Sequence, residues 1–72
     1  MRLHPHLIRT ARHRAGMTQR EAAERCRVSL PTYSQAEQGR DVWAATGRKI
    51  CQSMGLVLAE TVAPEAPESE TV

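Results

Sequence analysis

Aromatic residues are nearly missing from this chain of 72 residues, which has no phenylalanine, one tryptophan and one tyrosine. Alanine supplies a large part of the 40% of residues that are apolar. One small domain with an alanine-rich core buries little surface, so we expect its fold to be marginally stable as a monomer and to gain stability from a second copy. The sequence also lacks a convergent set of catalytic side chains. We therefore predict that the protein is not an enzyme.

Cysteines and long apolar runs are scarce as well. Cys26 and Cys51 are too few for a disulfide framework, and we expect both to be small core residues in a reducing cytoplasm. No run approaches the roughly 20 apolar residues that span a membrane, and the N-terminus lacks the apolar stretch of a signal peptide. Its histidines and cysteines do not follow a zinc-ligand spacing. These absences predict a cytoplasmic protein without a metal, a cofactor or a membrane partner.

Basic residues are confined to the first part of the chain. Residues 1–55 hold all ten arginines and lysines against four acidic residues, a net charge of +6. Residues 56–72 hold four glutamates and no basic residue, a net charge of −4. Such asymmetry suggests a nucleic-acid or membrane surface on the basic part. On charge alone, an ordinary solvated face remains the alternative.

Three glycines divide the basic part into helical segments. Gly16, Gly39 and Gly55 each follow a segment with helical spacing, and glycine is the usual residue just past a helix C-terminus. The first helix is predicted at residues 5–15, with proline in its first turn. Two helices must fit between Gly16 and Gly39, and a fourth ends at Gly55.

Capping residues mark where the later helices begin. Thr18 and Glu21 form a capping box that opens the second helix. Ser29 is the natural N-cap of the third helix, and Asp41 can cap the fourth. The residues expected to face the core are Ile8, Ala11, Ala15, Met17, Ala22, Ala23, Cys26, Val28, Tyr33, Ala36, either Trp43 or Ala44, Gly47, Ile50, Cys51 and Met54. Glycine is costly inside a helix, so Gly47 predicts either a close helix contact or a tryptophan lying over the gap.

The segment after Gly55 has a different pattern. Residues 56–62 are β-prone and partly alternating. A lone strand cannot satisfy its own backbone groups, so it either pairs with the same strand of a second copy or packs as an extended tail on the helices. Residues 64–72 are acidic and contain proline, and we expect them to be a disordered tail. The predicted parts are thus a helical domain at 1–55, a dimerisation strand at 56–63 and the tail.

Only three residues, Arg27, Val28 and Ser29, separate the second and third predicted helices. A connection this short holds two helices at a steep angle, so that one crosses the DNA backbone while the other enters the major groove. Residues 8–40 resemble the helix-turn-helix domain of phage λ-type repressors and Cro proteins, the Xre family, and the resemblance extends more weakly to Gly55. The matching positions are Arg12, Gly16, Thr18, Gln19, Ala23, Val28, Ser29, Tyr33, Ser34, Glu37, Gly39 and Arg40.

The resemblance implies a role for each matching residue. The positions that read base edges are Leu30, Pro31, Thr32 and Gln35. The positions that contact phosphates are Thr18, Gln19, Ser34, Gln38 and Arg40. Arg12 and Glu37 match a partly buried ion pair that joins the first helix to the third. Two departures stand out: Arg27 replaces the glycine that is usual in the turn and could distort it, and the apolar Leu30 and Pro31 replace polar readers.

The C-terminal segment is similar to the strand of HipB-like antitoxins, which pairs across a dimer. The residues assigned to dimerisation on this ground are Leu56, Val57, Leu58 and Val62. The expected fold is all-α, a λ-repressor-like helix-turn-helix domain of four to five helices with a short C-terminal β-strand that pairs across a dimer.

The expected function is a sequence-specific, dimeric autorepressor that binds double-stranded DNA and occludes a palindromic operator. One alternative is an antitoxin that neutralises a partner toxin through its C-terminal segment, with DNA binding as autoregulation. Another is a monomeric helical adaptor that has lost DNA readout.

Overall fold

The computed structural model describes residues 1–64, and within them the chain forms five helices and two short strands. The elements in chain order are β1 Arg2–Leu3, α1 Pro5–Arg14, α2 Gln19–Cys26, α3 Leu30–Glu37, α4 Ala44–Met54, α5 Leu58–Thr61 and β2 Val62–Ala63. The two strands form an antiparallel pair. A mostly helical fold with a short C-terminal strand is therefore confirmed. The predicted tail, apart from its first residue, lies outside the described residues.

Local capping signals account for the start of α2 and α3. The Thr18 hydroxyl accepts a hydrogen bond from the Glu21 amide at 3.1 Å, and the Glu21 carboxylate accepts one from the Thr18 amide at 2.8 Å. The Ser29 hydroxyl accepts a hydrogen bond from the Thr32 amide at 3.2 Å. Each bond satisfies a donor that the first helical turn leaves unpaired. The predicted capping box and the predicted serine cap are both confirmed.

The turn between α2 and α3 keeps a left-handed residue even though it is not glycine. Arg27 has φ +60° and ψ +42°. Its amide donates to the Glu24 carbonyl at 3.1 Å, and the Val28 amide donates to the Ala23 carbonyl at 3.1 Å. These are the two bonds of a Schellman motif. Arginine thus adopts the conformation that glycine favours, at a cost of about 1–2 kcal/mol, and the turn is not distorted.

The core lies where the small residues on the inner face of α2 pack against the other helices. Its buried apolar residues are Leu3, Ile8, Ala22, Ala23, Cys26, Tyr33, Ala36, Val42, Ile50 and Cys51. Burial raises the pKa of both cysteine thiols, which leaves them unreactive core residues as predicted. Ala15 is exposed instead of buried, because α1 ends at Arg14 and Ala15 lies past its last turn.

Two predictions about the start of α4 are wrong. Asp41 does not cap the helix, because α4 begins only at Ala44, with Trp43 at its N-cap position. The Asp41 carboxylate instead forms an ion pair with the amino group of Met1. Trp43 is 84% exposed and does not belong to the core.

The gap beside Gly47 is filled by the first residues of the chain. A β-carbon at Gly47 would collide with the Met1 sulfur and would touch Leu3 at 3.7 Å. The fully buried Leu3 therefore takes the place that Trp43 was expected to occupy. The atoms nearest to this glycine thus belong to Met1 and Leu3 and not to the tryptophan.

The C-terminal strand is shorter than predicted, because one helical turn precedes it and it pairs within its own chain. Leu58–Thr61 forms the single turn α5, and Val62–Ala63 pairs with Arg2–Leu3 of the same chain, with Leu3 opposite Val62. The Thr61 hydroxyl donates to the Val57 carbonyl at 2.7 Å, and the His4 amide donates to the Thr61 carbonyl at 2.7 Å. Packing of the segment on the core outweighs its β propensity. The strand thus finds hydrogen-bond partners for its backbone within its own chain and does not need a second copy to supply them.

Within residues 1–64, no helix has the length and the apolar character that crossing a membrane requires.

Candidate DNA-binding surface

Helix α3 presents a mixed outer face while its inner face lies in the core. Tyr33 and Ala36 are buried, whereas Pro31 and Gln35 are exposed. Of the four predicted base-reading residues, Leu30 and Thr32 are the two that are half-buried. The helix therefore offers one amide and one apolar ring to a partner without disturbing the core.

The two polar readers differ in how free their side chains are. Thr32 accepts a hydrogen bond from the Ser29 hydroxyl at 2.8 Å, so its own hydroxyl proton is left to donate. Within residues 1–64, the Gln35 side chain forms no hydrogen bond, and its amide keeps both donors and its acceptor. Gln35 has the pattern that pairs with adenine N6 and N7 in the major groove.

The predicted phosphate-contacting residues lie at the start of α2 and around the end of α3. Thr18 and Arg40 are exposed. The Gln38 amide donates to the Ser34 hydroxyl at 3.2 Å, so these two side chains are linked along one face of the helix. Gln19 is half-buried and makes a contact that the sequence did not reveal.

A buried polar network joins three helices behind this face. Arg12 donates from Nε to Glu37 Oε2 at 2.6 Å and from Nη2 to Glu37 Oε1 at 3.2 Å. Its Nη1 donates to the Met17 carbonyl at 3.1 Å. Gln19 Nε2 also donates to Glu37 Oε1, at 2.9 Å. The structure thus brings Arg12 and Glu37 together as a bidentate ion pair and adds Gln19 to it.

The network shifts the titration of its members. Burial alone would raise the pKa of the Glu37 carboxylate, but Arg12, the nearby Tyr33 hydroxyl and Gln19, in that order of effect, outweigh it and hold that pKa below its ordinary value. The hydrogen bonds from Arg12 to Glu37 raise the pKa of the guanidinium. Burial raises the pKa of the neighbouring Tyr33 hydroxyl, which has no hydrogen-bond partner among the described residues. Glu37 is therefore ionised at neutral pH. In this form its carboxylate accepts the hydrogen bonds that orient Arg12 and Gln19.

An open cleft of about 430 Å³ runs beside the exposed face of α3. Its lining residues are Met1, Thr32, Gln35, Asp41, Val42, Trp43 and Ala44. Sequence reasoning missed Trp43 here because it placed this residue in the core. One signal could have found it: neighbouring residues of an extended link point to opposite sides, and Val42 is the residue that turns inward.

Among residues 1–64 the surface carries more basic than acidic side chains. Eight of the ten basic side chains are exposed: Arg9, Arg14, Arg20, Arg25, Arg27, Arg40, Arg48 and Lys49. The ion pairs found within residues 1–64 use Arg12 and the Met1 amino group and none of these eight. Unpaired surface cations of this kind favour a polyanionic partner.

Comparisons with known proteins agree with this geometry. A family model of the helix-turn-helix domain matches residues 6–61. Among solved structures, the chain is similar to the clp gene regulator ClgR from C. glutamicum, with 33% sequence identity and a TM-score of 0.60. That match covers 74% of this chain and 70% of the ClgR chain. A comparison with curated proteins gives no significant match.

Proposed function

The chain belongs to the helix-turn-helix domain family, and from this premise we propose that it is a sequence-specific DNA-binding regulator of transcription. The outward face of α3 carries this proposal. Pro31 and Gln35 are exposed there, while Tyr33 anchors the same helix in the core. A helix held in this way can enter the major groove as a rigid body.

Specific recognition is assigned to the four residues at the exposed side of α3. Gln35 reads an adenine through its amide. Thr32 donates its hydroxyl proton to a base acceptor, and its methyl group suits a thymine methyl. Leu30 and Pro31 add apolar contacts with thymine methyl groups and leave the remaining selectivity to DNA shape.

Affinity is assigned to phosphate contacts around this helix. A glutamine amide nitrogen carries two hydrogens, and Gln19 uses one of them on Glu37. The second is available for a phosphate at the N-terminus of α2, where the helix dipole favours an anion. Thr18, Ser34 and Gln38 are the other polar contacts in this proposal, and the exposed Arg40 adds a salt-dependent one.

The finer form of the proposal is a homodimeric autorepressor. Two recognition helices about 34 Å apart read a palindrome in successive major grooves, and a bound dimer occludes the promoter. Val57 supports a dimer contact through side chains, because it is 58% exposed although it is apolar. Its neighbours Leu56, Leu58 and Val62 pack partly against the core, and we assign their outer surface to the same contact.

A second candidate function, an antitoxin, is supported by the segregation of charge. Residues 56–72 carry a net charge of −4, whereas the rest of the chain carries +6. An acidic segment of this kind would suit a basic toxin. The test is co-expression with a neighbouring gene whose product stops growth. Restoration of growth by this chain, and loss of that effect when residues 65–72 are removed, would support this function.

Selection of duplexes from random DNA by the purified chain tests the regulator proposal. We expect a palindromic sequence to be enriched and to bind with an affinity that falls steeply with salt. Gln35→Ala is expected to cost about 1–3 kcal/mol at one base position and to relax the preference there. Gln52→Ala removes an exposed glutamine of α4 and serves as the matched control, with no change expected. Selection without any enriched sequence would contradict sequence-specific binding.

A further inference from the structure

Trp43 is a large exposed aromatic residue next to the recognition helix. It is 84% exposed and stands in the link between α3 and α4, directly before Ala44. Tryptophan combines a wide apolar face with one N–H donor, so it suits a surface that is apolar in one place and hydrogen-bonding in another. Tryptophan is also enriched among the residues that contribute most of the binding energy where a partner covers them.

The position of Trp43 limits what can lie on it. It lines the same cleft as Thr32 and Gln35, which are the polar readers of the proposed function. A duplex whose bases are reached by Gln35 would bring its flanking backbone close to this cleft. Val57, the other exposed large hydrophobic residue within residues 1–64, does not line this cleft.

We propose that Trp43 contacts DNA: its indole face packs against a deoxyribose that flanks the bases read by α3, and its Nε1–H donates to a phosphate oxygen. This inference rests on the proposed function and adds a residue from outside the recognition helix to its DNA-binding surface. A sugar offers C–H groups to the ring, and the adjoining phosphate offers the acceptor. Because neither group differs between base pairs, the contact contributes affinity without base preference.

The charges around the cleft suit a phosphate backbone. Asp41 is the carboxylate among the lining residues. Its pKa is held below the ordinary value by a hydrogen bond and an ion pair with the Met1 amino group, and Arg2 lowers it further. The negative charge of Asp41 is thus balanced by the Met1 amino group. The exposed Arg40 directly precedes Asp41 in the chain, so the link before Trp43 is not repulsive to an anion.

Intrinsic fluorescence tests this contact directly, because Trp43 is the single tryptophan of the chain. The full chain is titrated with a fluorescein-labelled duplex recovered by selection, at low salt. Anisotropy of the label measures DNA binding, and acrylamide quenching of the indole measures whether Trp43 is covered. We expect quenching to fall with the same midpoint as the rise in anisotropy and to return to its initial value when high salt releases the duplex.

Variants at the same position separate the two parts of the contact. Trp43→Ala is expected to weaken binding roughly 5- to 30-fold, as truncation of a covered interface aromatic does. Trp43→Phe keeps an apolar ring but lacks the N–H, so its affinity should lie between the two. The loss should be uniform across base-substituted duplexes, unlike that of Gln35→Ala. Because the side chain is exposed, both variants should keep the circular dichroism spectrum and the melting temperature of the unaltered chain.

The possible outcomes distinguish this inference from the proposed function. If anisotropy reports binding while acrylamide quenching is unchanged and Trp43→Ala binds as the unaltered chain does, the tryptophan contact is wrong and DNA binding stands. If no duplex raises the anisotropy, both fail. If the indole becomes shielded as the protein concentration rises without DNA, and Trp43→Ala changes the sedimentation coefficient, the surface takes a second copy of the chain and the inference is wrong.

Discussion

Replacing Glu37 with leucine should lower the free energy of unfolding by a large fraction of its total. The variant removes the carboxylate that accepts two hydrogen bonds from Arg12, whose side chain is only 13% exposed, while Glu37 itself is 2% exposed. Leaving one partner of a buried pair without its counter-charge costs about 3–5 kcal/mol. We expect Glu37→Leu to lower the free energy of unfolding by about 3 kcal/mol, the lower end of this range, because part of the guanidinium can still reach water.

That cost is large for so small a domain. At roughly 0.05–0.15 kcal/mol per residue, a chain of this length has a free energy of unfolding of about 4–11 kcal/mol. Urea denaturation followed by far-ultraviolet circular dichroism at neutral pH would measure the loss. Arg12→Leu combined with Glu37→Leu should be more stable than Glu37→Leu alone, because no buried charge is left without a partner.

Glu24 offers a matched control for this experiment. It is exposed on α2 and has no ion pair among the described residues, so Glu24→Leu should change the free energy of unfolding by less than about 0.5 kcal/mol. A Glu37→Leu variant that unfolds within 1 kcal/mol of the unaltered chain, by the scale used for buried pairs, would refute the reasoning. The ion pair would then orient its side chains without stabilising the folded state.

Three further predictions follow from other features of the fold. Because the folded-state pKa of Glu37 is lowered, its contribution to stability is present above the ordinary glutamate pKa and is lost as the pH falls through the folded value. Urea midpoints measured from neutral to acid pH should therefore decrease more for the unaltered chain than for Glu37→Gln. Arg27→Gly relieves a left-handed arginine and should raise stability by about 1 kcal/mol, whereas Arg27→Ala should not, and equal melting temperatures for all three chains would contradict this. Val57→Glu should weaken self-association in sedimentation experiments, with Ala59→Glu, an exposed neighbour, as its control; a dimer that survives Val57→Glu would place the interface elsewhere.

The elements that could be predicted from the sequence depend on contacts over short distances along the chain. The capping box joins Thr18 and Glu21, which are three positions apart, and the serine cap of α3 has the same spacing. The burial of Ile8 and Tyr33 follows from helical periodicity. Such signals identify helices α1 to α3, and with them the outward side of α3.

The remaining features depend on contacts between distant parts of the chain. Asp41 was predicted to cap α4, but its partner Met1 is 40 positions away. Met1 and Leu3 cover Gly47, and the two residues of β1 are too few to show strand alternation. Helix α5 is a single turn of four residues, too short for helical periodicity to distinguish it from a strand. Trp43 is exposed, and residues from the N-terminus fill the space beside Gly47.

The same carboxylate connects the stability of the domain with the geometry of its proposed DNA-binding surface. Glu37 is the last residue of α3, its partner Arg12 lies on α1, and Gln19 is the first residue of α2. An Arg12–Glu37 pair alone would hold α3 against α1 and leave Gln19 free to rotate. Because Gln19 shares Oε1 of Glu37 with Arg12, the position of the proposed phosphate donor depends on the ion pair being intact. A buried charge pair that adds little net stability can still be retained for this reason, because a hydrophobic replacement would leave Gln19 without its acceptor.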